Sequence, residues 1–165
     1  MRFLLRKFDS LAGAFVAALG ALVCAQLPVF AQQYLQRLGG HVDEAGRQVA
    51  QLTGANAAER LDSGMRLAFE TLARARHAAL ESQQQALSDA TPLIRPLEFL
   101  RGFDSDIAAA TLDRFVPAVP LDSAGAVYAI AGLVAGWLLY EAVKLPFWVL
   151  WRAAAASRRP GPRDA

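Results

Sequence analysis

The sequence predicts an all-α protein in which two transmembrane helices flank an extracytoplasmic antiparallel helical hairpin with a short third helix. The membrane helices are predicted because residues 10–36 and residues 123–140 contain no charged side chain. A hydrocarbon core about 30 Å thick is crossed by roughly 20 helical residues. The hairpin is predicted because apolar residues recur with heptad spacing between these two runs.

The composition and the charge distribution are typical of one small membrane protein. Hydrophobic residues make up 55% of the 165 residues and charged residues 19%, which is more apolar than a typical soluble domain. Residues 1–10 and 141–165 together carry eight Lys or Arg and three acidic residues, whereas residues 31–122 carry nine Arg and twelve acidic residues. The basic pI therefore reflects the two ends of the chain, and we expect no nucleic-acid partner.

The first transmembrane helix is assigned to residues 10–31, after a cytoplasmic N-terminus of residues 1–9. Three basic residues among the first seven precede the helix, and basic residues stay on the cytoplasmic side of a membrane. A cleaved signal peptide is the rival interpretation, because Val29 and Ala31 are small residues at the spacing that a signal peptidase uses. The length of the apolar run favours a retained helix. In both cases the middle of the chain is exported.

Two apolar stripes with heptad spacing predict the helical hairpin within the extracytoplasmic residues 32–121, and a turn signal at residues 53–56 separates them. Gly39 and Gly40 interrupt the first stripe, where they produce either a kink or a close approach of another backbone. The second stripe is rich in alanine, so we expect a thin core that includes Leu72 and needs a third element or a second copy of the chain. The first stripe comprises Leu35, Leu38, Val42, Ala45, Val49 and Leu52, and the second comprises Leu61, Met65, Ala68, Leu72, Ala75, Ala79, Ser82 and Ala86.

Residues 91–120 predict the short third helix and an apolar layer. Pro92 and Pro96 end the long helix, and Asp104 or Ser105 can cap the short helix that follows. The two hairpin helices have about the same rise, about 33 Å each. We therefore expect the Phe- and Leu-rich residues after them to lie near the bilayer surface.

The second transmembrane helix is assigned to residues 122–145. Small residues about four apart favour tight helix–helix contact, either with a second copy of the chain or with the first helix through Gly13, Ala17 and Ala21. An interfacial aromatic segment and a basic cytoplasmic tail follow in residues 146–165, and we expect the tail to attract anionic lipid. The candidate helix-packing residues are Gly125, Ala129, Gly132 and Gly136.

No motif indicates catalysis. The sequence contains no phosphate-binding glycine loop, nucleophile elbow or metal-ligand spacing, and its single cysteine, Cys24, has no partner for an intramolecular disulfide. His77 and Glu81, four residues apart, are interpreted as a surface pair, and Glu141 and Lys144 as an ion pair. We therefore predict no catalytic, cofactor-binding or metal-binding residue, and no enzyme activity.

Glutamines cluster where the first helix leaves the predicted membrane segment. Gln26 lies inside the apolar run, and its amide either bonds another helix or is hydrated near the outer interface. The polar collar continues with Gln32, Gln33, Tyr34 and Gln36.

Two stretches, residues 26–40 and residues 104–121, contain recurring polar, aromatic and proline positions. These positions are Gln26, Pro28, Phe30, Gln32, Gln33, Tyr34, Gln36, Arg37, Leu38, Gly39 and Gly40, followed by Asp104, Ile107, Ala108, Ala110, Thr111, Phe115, Pro117, Ala118, Val119, Pro120 and Leu121. With these motifs the chain resembles a family of small, uncharacterised proteobacterial inner-membrane proteins grouped as a domain of unknown function. The resemblance spans nearly the whole chain. It implies two membrane helices around an exported helical segment, and it brings no activity or ligand.

We expect a protein of the bacterial cell inner membrane with both termini in the cytoplasm and a periplasmic central segment. The expected function is non-catalytic, as a structural or interaction protein of the cell envelope. Its partners would be membrane lipids and either a second copy of the chain or another membrane protein. The alternative is an accessory subunit of a membrane transport or channel assembly.

Overall fold

The protein is described by a computed structural model that covers residues 2–54 and 62–156. Within these residues all regular structure is helical, as the sequence predicts, and five helices are present. The predicted basic tail after residue 156 and the second half of the predicted turn lie outside the described residues, as do the side chains of the aromatic segment. The helices are α1 (Arg2–Thr53), α2 (Ser63–Asp89), α3 (Arg95–Arg101), α4 (Ser105–Asp113) and α5 (Ser123–Ala156).

Two of these helices are long and apolar enough to cross a membrane. By length and composition the candidate spans are Arg6–Thr53 within α1 and Ser123–Leu145 within α5. Helix α1 continues without a break through Gly39 and Gly40. A Cβ atom on Gly39 would lie 3.3 Å from the amide nitrogen of Gln84, whereas one on Gly40 would meet no atom within 4 Å. The close approach at Gly39 is therefore to a side chain.

The chain divides into two compact units. Met1–Ala25 and Ala126–Ala165 form the first, which we call the two-helix unit, and Gln26–Gly125 form the second, which we call the central unit. The described part of the two-helix unit consists of segments of α1 and α5. The central unit contains the rest of α1 together with α2, α3 and α4.

One aromatic and aliphatic core holds the central unit together. Phe99 of α3 lies at its centre, with its ring centroid 5.4 Å from that of Phe30, 4.9 Å from that of Tyr34 and 4.9 Å from that of Phe103. The first predicted stripe is correct, because Leu38, Val42 and Ala45 are buried and its other three members are half-buried. The buried core residues are Ala31, Tyr34, Leu38, Val42, Ala45, Leu80, Leu87, Phe99 and Ile107.

The second predicted stripe is wrong in its choice of face. Leu80 and Leu87 are the buried residues of α2, whereas Met65 and Leu72 are 53% and 69% exposed. Two leucines seven residues apart bury more apolar area against α1 than the alanine-rich face does. The two buried leucines therefore lie roughly 110° around α2 from the centre of the predicted stripe, whose Leu61 falls outside the described residues. The half-buried residues of α2 are Arg66, Glu70, Ala73, His77, Gln83 and Gln84.

Two short helices are found where one was predicted. Pro96 occupies the first turn of α3, where its missing N–H is not needed, so this proline begins a helix instead of only ending one. Helix α4 begins as predicted, because the Asp104 carboxylate accepts hydrogen bonds from the N–H groups of Asp106 and Ile107 at 2.9 and 3.1 Å. An extended segment, residues 115–121, then leads toward α5.

Candidate functional site

Two glutamine side chains of α1 hold the extended segment 115–121. The Gln26 amide nitrogen donates to the Ala118 carbonyl at 3.1 Å, and the Ala118 N–H donates to the Gln26 amide oxygen at 3.2 Å. Gln33 makes the same pair of bonds with Val116, at 2.8 and 3.2 Å. We call these four hydrogen bonds the glutamine ladder. The partner of Gln26 is thus the backbone of its own chain.

The glutamine ladder follows from the geometry of an extended chain. The N–H and C=O groups of one residue point to one side, and those of the next residue point to the other. Val116 and Ala118 therefore present both groups to α1, while the missing N–H of Pro117 falls on the far side. A primary amide carries one acceptor and two donors, which match these backbone pairs. Gln26 and Gln33 are seven residues apart and so lie on one face of the helix.

Further side chains satisfy backbone groups between the helices of the central unit. The Arg95 guanidinium donates to the carbonyls of Leu87 and Ala90 at 2.9 and 3.1 Å, and to the Gln32 amide oxygen at 2.6 Å. These carbonyls lie at the C-terminal end of α2, where helical carbonyls lack intrahelical partners. The hydroxyl of Tyr34, a buried residue, accepts from the Asp104 N–H at 2.9 Å.

The two stretches that carry the family resemblance contact each other. Residues 26–40 and 104–121 are joined by the glutamine ladder, by the hydrogen bond between Tyr34 and Asp104, and by the rings of Phe30 and Phe115, whose centroids lie 5.7 Å apart. Sequence reasoning missed this junction because the partners of the glutamines are backbone groups, which have no residue-type signature. The only available signal was the seven-residue spacing of two glutamines.

An open cleft of about 650 Å³ lies beside the glutamine ladder. Neither of its two arginines, Arg37 and Arg114, forms an ion pair with any residue that the structure describes. The hydroxyl of Thr111, a buried residue, donates to the Ile107 carbonyl at 2.7 Å. The cleft is therefore positively charged. The residues that line it are Gln33, Gln36, Arg37, Thr111 and Arg114.

In the two-helix unit, glycines allow the backbones of α1 and α5 to approach. A Cβ atom on Gly136 would lie 2.7 Å from the Val16 carbonyl oxygen, and one on Gly132 would lie 2.6 Å from the Cys24 Cβ atom and overlap Gly20. The face of Gly132 and Gly136 is thus occupied by α1 of the same chain.

The other predicted packing residues have different surroundings. A Cβ atom on Gly125 would overlap the Pro120 ring, within the central unit, and Ala129 is half-buried. Of the predicted α1 positions, Gly13 and Ala17 are buried and Ala21 is half-buried.

A polar cluster ends the contact between α1 and α5. The Lys144 ammonium lies 2.5 Å from one Asp9 carboxylate oxygen, and the Tyr140 hydroxyl donates to the other at 2.6 Å. Lys144 is also 3.8 Å from the Glu141 carboxylate. The predicted ion pair of Glu141 and Lys144 is thus longer than the ion pair that Lys144 forms with Asp9 on α1. The sequence pattern did not predict this second ion pair.

Within residues 2–54 and 62–156, no group of three or more His, Cys, Asp or Glu side chains is placed to hold a metal ion. His77 and Glu81 are 3.7 Å apart, with the Glu81 side chain largely exposed. The arrangement is that of a surface pair.

A family model matches residues 8–69 and 70–153 of the chain, under the description of a protein of unknown function. The chain belongs to the DUF2937 family. No curated protein and no solved structure matches it. The glutamine ladder, the cleft and the glycine contacts all lie within the residues that the DUF2937 model covers.

Proposed function

We propose that this DUF2937 protein is a non-catalytic structural or interaction protein of the bacterial cell envelope. Its two long helices would span the inner membrane with both termini in the cytoplasm, and residues 32–121 of the central unit would lie in the periplasm. In this arrangement α1 and α2 form the antiparallel hairpin. The observation that carries the proposal is the exposed heptad stripe of α2.

We call this stripe the outer face of α2. It has the 3.5-residue spacing with which helices pair in coiled coils, yet the core of the central unit uses Leu80 and Leu87, which lie roughly 110° around the helix from the centre of the stripe. Every member of the outer face is exposed. Leu72 borders a cleft that α1 also lines, and Ala79, Ser82 and Ala86 border one that α3 also lines. The stripe is exposed beside these clefts, and its apolar side chains are available to a partner. The outer face consists of Met65, Ala68, Leu72, Ala75, Ala79, Ser82 and Ala86.

A second copy of the chain is the partner that this surface fits best. A heptad seam is complementary to the same seam on an identical helix, so two copies can meet through a two-fold interface. Four of its seven members are alanines, which permit a short distance between the helix axes. The side chains of Leu72 and Met65 add the apolar area that alanines lack. The opposite side of α2 is already occupied, because His77 lies 3.3 Å from the Cβ position of Gly46 on α1.

Cysteine cross-linking in membranes tests the proposal. In a Cys24→Ala background, Ala75→Cys places a thiol near the middle of the outer face, where it meets its counterpart whether the two helices run parallel or antiparallel. Arg74→Cys is the matched control, because residue 74 is exposed at the same height but one residue, or 100°, away around the helix. We expect a disulfide-linked dimer with Ala75→Cys and little with Arg74→Cys. Equal yields at the two positions would contradict the proposal.

The same experiment addresses the alternative function. An accessory subunit of a transport or channel assembly would use the outer face of α2 against a different protein. Ala75→Cys would then give a cross-linked product of a mass other than that of the dimer in cells, and mass spectrometry would identify its second component. The purified protein alone would remain monomeric.

A further inference from the structure

The cleft beside the glutamine ladder has the composition of an anion site. Two arginines, two glutamines and a threonine line it, and no carboxylate does. Its members come from α1, from α4 and from the residue after α4. The cleft lies wholly within the central unit.

The arginines of the central unit fall into those with a partner and those without one. Arg47 and Arg74 pair with glutamates on their own helices, and Arg95 is bonded to carbonyl groups. Arg37 and Arg114, like Arg66 and Arg76 on α2, have no such partner among the described residues, and Arg37 and Arg114 line one cleft together. Two guanidinium groups that share one cleft repel each other unless an anion lies between them.

The structure holds both arginines in place through their neighbours. Arg114 is the residue that follows α4, and its backbone N–H donates to the carbonyl of Thr111 in the last turn of that helix. A cation is favourable at this end of a helix, which explains Arg114 alone. It does not explain Arg37, which lies on α1 one turn after Gln33. Because Gln33 is bonded to Val116, the glutamine ladder fixes α1 beside the segment that follows Arg114.

We propose that this cleft binds a phosphate-bearing group, with Arg37 and Arg114 as its principal ligands. The guanidinium group presents paired N–H donors that match two phosphate oxygens, and the exposed Gln36 amide supplies a further donor. The phosphate could belong to a phospholipid headgroup or be free inorganic phosphate, because both present the same oxygens to the arginines.

The position of Arg37 along α1 favours the lipid headgroup. Arg37 follows residue 31, the end of the predicted membrane segment, by six residues, which is about 9 Å of helix rise. The headgroup layer extends about 5–8 Å beyond the hydrocarbon on each side of a bilayer. Side chains of a helix lean toward its N-terminus, which for α1 is the side of the membrane segment, so the Arg37 guanidinium group reaches back to the lipid phosphates. The choice of lipid rests on the proposed membrane placement, whereas the phosphate chemistry of the cleft does not.

Lipid binding to the full-length protein in a non-ionic detergent tests the proposal. Native mass spectrometry would measure retention of phosphatidylglycerol, with diacylglycerol of the same chains as the probe without phosphate. The variant is Arg37→Gln/Arg114→Gln. The control is Arg66→Gln/Arg76→Gln, which removes the same charge from α2. We expect the affinity for phosphatidylglycerol to fall at least tenfold in the variant and to change little in the control.

Inorganic phosphate, measured by calorimetry against chloride at equal ionic strength, distinguishes the sources. The cleft would be assigned to free phosphate if wild type binds inorganic phosphate, the Arg37→Gln/Arg114→Gln variant does not, and wild type shows no preference for phosphatidylglycerol over diacylglycerol. Equal affinities of wild type and variant for both probes would overturn the proposal, as would an equal loss in the control. If the variant does not fold, Arg37→Lys/Arg114→Lys keeps the charge and removes the paired donors. Equal retention of the two lipids by wild type, with no binding of phosphate, also overturns it. None of these results depends on the cross-link at Ala75.

Discussion

The two units of the molecule are held together by different means. In the two-helix unit, α1 and α5 meet at glycines, where Gly20, Gly132 and Gly136 bring the two backbones together. In the central unit, leucines and aromatic rings fill the core, and Phe99 alone contacts three other rings. Side-chain hydrogen bonds to backbone groups then join its segments.

Under the proposed membrane placement, the difference corresponds to two solvents. Between helices in lipid there is no hydrophobic driving force, so stability comes from close packing of small residues. In water, burial of apolar area supplies roughly 25 cal/mol per Å², which favours large side chains. Helix α1 contributes to both units, with Gly13 and Ala17 in one contact and Tyr34 and Leu38 in the other. This change of side-chain size along one continuous helix is expected if the two-helix unit lies in lipid and residues 32–121 lie outside it.

Enlarging the glycines of the two-helix unit should have the largest effect. The Gly132→Leu/Gly136→Leu variant inserts two branched side chains where a single Cβ atom already overlaps α1, and we expect a loss of roughly 5 kcal/mol or more, from two severe overpacking substitutions. Protease resistance of α1 and α5 in detergent would report the separation of the helices. Gly40→Leu is the control, because a Cβ atom there meets nothing within 4 Å. Equal protease resistance of the double variant and wild type would contradict the glycine contact.

Truncating a core leucine of the central unit should have the next largest effect. Leu87 is 1% exposed, and Leu87→Ala should lower the free energy of unfolding by about 2–5 kcal/mol through lost burial and a residual cavity. Leu67→Ala on the same helix should change it by less than about 0.5 kcal/mol, since Leu67 is exposed. Denaturant unfolding followed by circular dichroism gives both values. Similar losses at the two positions would mean that the inward face of α2 is assigned wrongly.

Removing one rung of the glutamine ladder should have a smaller effect. Gln33→Met leaves the N–H and C=O groups of Val116 without their partner, and we expect a loss of about 1 kcal/mol because water reaches this site. Hydrogen exchange at Val116 should become faster while exchange in the core of α2 is unchanged. Gln51→Met, an exposed position on the same helix, is the control. Unchanged exchange at Val116 would argue against the ladder.

The local features of the fold could be predicted from sequence, and the pairings between distant segments could not. The two uncharged runs located α1 and α5, and Asp104 located the start of α4, because hydropathy and capping depend on neighbouring residues. The heptad spacing in α2 indicated a pairing surface. It did not indicate which side of the helix packs against α1 of the same chain. The decision depends on Leu80 and Leu87 packing against α1, which is a tertiary property.

The candidate sites were the least accessible to sequence reasoning. Gln26 and Gln33 bind backbone groups 92 and 83 residues away, and a backbone group is the same in every residue type. Arg37 and Arg114 are brought to one cleft only when the extended segment 115–121 lies along α1. The four candidate packing residues were recognised by their size and spacing, but those features do not distinguish α1 from a second copy of the chain.

The most direct test of the central claim, that the outer face of α2 is a surface for a partner, is the Leu72→Asp substitution measured for both stability and association. Leu72 is 69% exposed, so the free energy of unfolding should change by less than about 0.5 kcal/mol. The same charge in the middle of a heptad seam should abolish the disulfide-linked dimer formed through Ala75→Cys, whereas Leu67→Asp, exposed but outside the seam, should leave it intact. A loss of several kcal/mol in stability, or an undiminished dimer yield, would contradict the account.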